Sequence, residues 1–137
     1  MEKFVFLDDE ATADVAFIAN GKTKAEIIAN ACLALTNVMT DADLISHTIY
    51  FEKEFNAEDL LGLIYDLLNY LLFLFDTQDL FFNDYKIDLN EEKVSLVLKA
   101  SGEKYDENKH IIKGHIKAVT FFGMVFDENG LKVTLDL

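Results

Sequence analysis

Apolar and polar residues alternate along some stretches of this chain and recur every three or four positions along others. The change of rhythm marks its elements. Alternation or short apolar runs predict strands at Lys3 to Leu7, Val15 to Asn20, Ser46 to Phe55, Leu80 to Leu89, Lys93 to Ala100, His115 to Phe126 and Leu131 to Leu137. Thr23 and Glu26 have capping-box spacing. After them Ile27, Ile28, Ala31, Cys32, Leu35, Val38 and Met39 form one apolar stripe, which predicts a helix ending near Met39. Asn56 with Asp59 opens a second helix, running to about Asp76. Its residues from Leu60 to Phe75 are apolar nearly all round, so neighbours must bury it on most sides. Asn20-Gly21 and Asp127-Glu128-Asn129-Gly130 read as turns, and Gly102 to Lys109 reads as a polar loop. The order ββαβαββββ predicts an α+β fold, a largely antiparallel or mixed β-sheet packed with two long helices, as one domain over residues 1–137.

Composition narrows the function. Half of the 137 residues are hydrophobic (51%), enough to fill a core. Net charge is −13, and all 12 basic residues are Lys. So acidic a surface repels nucleic acid, and without Arg the usual bidentate grip on phosphate is missing, so no direct sequence-specific nucleic-acid binding is expected. The apolar stretch Leu60 to Phe75 is shorter than the roughly 20 residues that cross a bilayer and carries Asp66 and Asn69, so no membrane association is expected. The start, Met1-Glu2-Lys3-Phe4, does not resemble a secretory signal, and a cytoplasmic location is expected. A single cysteine, Cys32, allows no internal disulfide, and its place on the apolar stripe predicts a packed, inert thiol.

Catalytic templates are missing: there is no GxGxxG, P-loop, GxSxG or HExxH. His47, His110 and His115 are too scattered to form one metal site and read as solvated. The carboxylates are more informative. Asp14 precedes the second strand, Asp136 is penultimate, and Leu137 adds the terminal carboxylate. If the last strand lies beside the one beginning at Val15, these three groups cluster. They would then repel one another unless protonated or bridged by a cation, and all-oxygen ligands suit Ca²⁺, Mg²⁺ or Mn²⁺. Solvated acids at strand ends are the plainer alternative.

Six short segments, in order, resemble one known family. Glu10-Ala11-Thr12-Ala13-Asp14 is similar to the E-H-T-A-D opening of the archeases. Asn37-Val38-Met39-Thr40-Asp41 matches their N-V-M-T-D, and Leu71 to Thr77 matches L-L-F-L-F-D-T. Gly102-Glu103-Lys104-Tyr105-Asp106 resembles G-E-x-[FY]-D, Lys117-Ala118-Val119-Thr120 resembles K-A-[IV]-T, and Val133 to Leu137 resembles the terminal V-x-L-D-[IL]. The resemblance implies a non-catalytic protein cofactor of an RtcB-type RNA ligase in tRNA splicing, one that promotes guanylylation of the ligase and its turnover. It also implies a metal site at Asp14, Asp136 and Leu137. Three positions depart from the pattern: Ala11 and Phe122 stand where the family has histidines, and Leu67 where it commonly has Trp.

Other residues carry two readings each. Glu103 and Lys117 either touch a partner or a phosphate, or form a loop salt bridge and a solvent-facing lysine. The stripe Phe73, Phe75, Phe81 and Phe82 is expected to be core, with a partner surface as the alternative. Two rival functions use the same carboxylates: a metal-dependent phosphohydrolase, and a chaperone-like structural module whose metal staples the C-terminus.

Overall fold

The computed structural model describes residues 2–7 and 14–137, so Glu10 to Ala13 of the opening motif, with the departure at Ala11, lie outside the described residues. The elements run β1 (Phe4–Leu7), β2 (Val15–Ala19), α1 (Lys24–Met39), a 3₁₀ turn (Ala42–Leu44), β3 (Ile49–Asn56), α2 (Leu60–Gln78), β4 (Leu80–Asn90), β5 (Ser95–Lys104), β6 (Ala118–Asp127) and β7 (Gly130–Asp136). This is the predicted α+β order. The strands divide between two sheets, ordered β1-β2-β7-β6 and β3-β5-β4, and every pairing is antiparallel.

Each helix touches both sheets: α1 packs on β4, β2 and β7, and α2 packs on β6, β3, β4 and β5. A helical layer between two sheets explains why α2 is apolar on nearly every side. Its Leu63, Ile64, Leu67, Leu68, Leu71, Leu72 and Leu74 are all buried. By length and composition α2 would suit a membrane, but those side chains form the middle of the core. Phe81 and Phe82 are buried and Phe75 stacks on Phe81 at 4.3 Å, as expected of core, whereas Phe73 is 52% exposed.

Local chemistry sets the boundaries. Thr23 caps α1, its hydroxyl accepting from Glu26 N–H at 3.1 Å. The return bond is shifted by one residue, since Glu26 accepts from Lys22 N–H (3.3 Å). Asp59 caps α2 by accepting from Gly62 N–H at 2.7 Å. The segment beginning at Gly102, expected as a loop, instead continues β5 through Lys104. Gly102 makes this possible: a Cβ there would stand 1.8 Å from the Phe81 carbonyl oxygen. β6 begins at Ala118, three residues later than expected, and its pairing with β7 shifts register between Thr120 and Val125. Gly123, at φ +78°, lies in that bulge.

Candidate functional site

β2 and β7 are neighbours in the four-stranded sheet, so the condition for the carboxylates to meet is satisfied. Val15 pairs with Leu135 and Ala16 with Thr134. Asp14 and Asp136 are the next residues outward from the Val15–Leu135 pair. Alternation sends Leu131, Val133 and Leu135 into the core and turns Lys132, Thr134 and Asp136 outward. Asp14 shares that outward parity with Asp136. Directly opposed side chains on one face sit about 4.5–5.5 Å apart at Cβ, and like charges there repel. Leu137 follows immediately, with a half-buried side chain packed against the core. The next strand closes the corner: Ala118 pairs with Asp136, and Lys117 N–H donates to the Asp136 carbonyl at 2.8 Å. Lys117 itself is exposed.

Two carboxylates on one sheet face beside a chain terminus form an all-oxygen donor set, which fits a hard divalent cation and suits neither Cu(I) nor a thiolate-type zinc site. Among the described residues no three His, Cys, Asp or Glu side chains form a group that could hold a metal ion.

A second polar assembly was only half legible in the sequence. Glu103 Oε2 accepts from Ser46 N–H (2.7 Å), Lys109 Nζ (2.7 Å) and His110 Nε2 (2.8 Å). The expectation that His110 is solvated is wrong: its side chain is fully buried, edge-on to Phe81 and beside Tyr105. Its Nδ1 accepts from Asp106 N–H at 2.9 Å, so the proton sits on Nε2 and a neutral ring satisfies both partners. Burial works against the Glu103 carboxylate, but the Lys109, Ser46 and His110 donors outweigh it and hold its pKa down at about 2, from an ordinary 4.5. Glu103 thus acts as an internal anchor. Lys109 also donates to Ser46 Oγ (2.6 Å), and an ammonium that donates has no lone pair with which to activate that serine.

The anchor reaches the carboxylate corner through one segment. His110 fixes its start, Lys113 N–H donates to the Met39 carbonyl at the end of α1 (2.8 Å), and Lys117 closes on Asp136. Asn83 steadies the neighbouring 3₁₀ turn by donating to the Ala42 (2.7 Å) and Ile45 (2.9 Å) carbonyls, and its Oδ1 pairs with the exposed His47. His115 is exposed. Cys32 is buried as expected, and desolvation pushes its thiol well above the ordinary range, so it offers no thiolate.

The profile of the Archease protein family (MTH1598/TM1083) matches residues 4–137. The chain belongs to the archease family. It is 39% identical to the protein archease of Methanothermobacter thermautotrophicus, with both chains covered over their whole length. It is 34% identical to that of Sulfolobus acidocaldarius, over 94% of this chain and 91% of the other. The solution structure of Methanobacterium thermoautotrophicum protein 1598 covers 100% of both chains, with a TM-score of 0.81 at 36% identity. The crystal structure of a Thermotoga maritima archease, described as a possible chaperone, shares the fold (TM-score 0.58, 20% identity, 95% of this chain and 94% of the other).

Proposed function

We propose that this protein is a non-catalytic cofactor that binds a divalent cation (Ca²⁺, Mg²⁺ or Mn²⁺) through Asp14, Asp136 and the Leu137 carboxylate, and activates an RtcB-type RNA ligase in tRNA splicing. The observation that supports this reading is the β2–β7 register, whose outermost pair, Val15 with Leu135, is next in sequence to Asp14 and Asp136. Family membership supplies the context.

Each residue has a defined task. Asp14 and Asp136 provide negative oxygens from the adjoining ends of β2 and β7, and the Leu137 carboxylate, immediately after β7, adds a third. Leu135, fully buried, anchors that end of the strand. Lys117, bound to the Asp136 backbone, keeps β6 against it. When bound, a hard cation supplies positive charge that offsets nucleotide phosphates near the guanylylation centre of the partner. Activation therefore works by positioning and electrostatics.

The test is guanylylation of the cognate ligase at limiting divalent metal, with and without the protein. Stimulation by the intact chain, lost in Asp14→Asn and Asp136→Asn, is the expected result. Absence of stimulation by the intact chain would overturn the proposal.

A further inference from the structure

The two sheets turn unlike faces to solvent. The outer face of β3-β5-β4 is strongly charged, with Glu52 opposite Lys99 and Lys99 opposite Lys86 across its middle. The outer face of the four-stranded sheet is not. One row across its strands reads Val5, Ile18, Lys132, Val125, and the next reads Leu7, Ala16, Thr134, Thr120. Lys132 is the single charge in those two rows, and Val5 and Val125 are 43% and 46% exposed. At the rim the β6 bulge, braced by Thr120 Oγ1 donating to the Thr134 carbonyl (3.1 Å), holds Phe122 out at 91% exposure. An almost fully exposed phenylalanine beside an apolar sheet face marks an interaction surface.

We propose that this face, with Phe122 as its projecting side chain, seats a partner protein that offers an apolar patch ringed by Lys and Arg; this rests on the reading above, in which the partner is the RNA ligase. Charge selects that occupant. Each chain carries −13, so a second copy is repelled while a basic, nucleic-acid-binding protein is drawn in. The face is also continuous with the carboxylate corner, since Asp14 and Asp136 form its next row, and a partner seated there meets those oxygens directly.

Docking is by the face and not by strand addition at the β6 edge. On the β6 edge, Asn69 of α2 accepts from Val119 N–H (3.0 Å) and donates to the Val119 carbonyl (3.3 Å). Those backbone groups are therefore occupied, and the bulge interrupts the rest of the edge.

The experiment is calorimetric titration of the purified cognate ligase with the Mn²⁺-loaded chain. The variants are Phe122→Ser, Phe122→Ser with Val125→Ser, and Tyr50→Ser as a control on the other sheet, where Tyr50 is 82% exposed. Expected are affinities about tenfold weaker for Phe122→Ser and weaker still for the double variant, Tyr50→Ser unchanged, and Mn²⁺ binding and melting temperature unaltered throughout. If the unchanged chain binds and the double variant binds equally well, or Tyr50→Ser weakens binding as much, the inference alone is overturned. A chain dimer in sedimentation that Phe122→Ser abolishes would overturn it in favour of self-association. If the unchanged chain does not bind the ligase, the functional reading falls and takes the inference with it.

Discussion

Two acidic regions of this molecule are built to opposite specifications. Glu103 is one carboxylate served by three donors, a backbone N–H, an ammonium and an imidazole N–H, all within 2.8 Å. Asp14 and Asp136 are two carboxylates next to the outermost β2–β7 pair, Val15 with Leu135. The first arrangement satisfies its charge from within and spends it on structure, by fastening the segment that leads to Lys117. The second sets two acids near each other at a corner that reaches the solvent, where the proposed cation sits. The difference separates an acid whose role in the fold is visible from acids whose role the proposed cation site has to explain.

Replacing Gly102 by Ala should give the largest effect. The new Cβ would meet the Phe81 carbonyl at 1.8 Å and force β4 from β5 immediately before Glu103, at a cost of about 4 kcal/mol in chemical denaturation. A loss below about 1 kcal/mol would mean that the strand pairing there is looser than described. Next comes the cation. At a hundredfold excess over Kd, Ca²⁺ or Mn²⁺ should stabilise the protein by about 2.7 kcal/mol, read as a rise in melting temperature that Asp136→Asn abolishes.

Glu103→Gln removes the charged anchor and should cost about 2 kcal/mol at pH 7. Its sign with pH is fixed. The folded carboxyl titrates at about 2 and the unfolded one near 4.5, so the contribution is complete above 4.5 and is lost as pH falls toward 2. The gap in melting temperature between the two proteins should therefore close between those values, and a gap that widens on acidification would contradict the role given to Glu103. The smallest effect has the opposite direction. In chelator, Asp136→Asn should raise stability by about 0.5 kcal/mol, since it removes a like-charge pair.

Periodicity made the elements legible because burial enforces it: the α1 stripe and the alternation of β7 appear in the structure as read. What periodicity does not report is which strands pair. The seven strands form two sheets with the helices between them, and the all-round apolarity of α2 was the one sign of that layering. Gly102 hid the end of β5, since a glycine followed by charges reads as a loop until the close approach of Phe81 is seen. That β7 lies beside β2 could be posed from the sequence only as a condition, because periodicity leaves strand order open. The Glu103–His110 anchor was legible only in Glu103, read as one side of a salt bridge, because a buried histidine depends on partners such as Ser46, which is remote in sequence.

The most direct measurement is isothermal titration of Mn²⁺ or Ca²⁺ into the metal-free protein and into Asp14→Asn and Asp136→Asn. A single saturable binding event in the unchanged chain, lost in both variants while neither melts lower than the unchanged metal-free chain, is the predicted result. No heat from the unchanged chain, or binding that survives both substitutions, would contradict it.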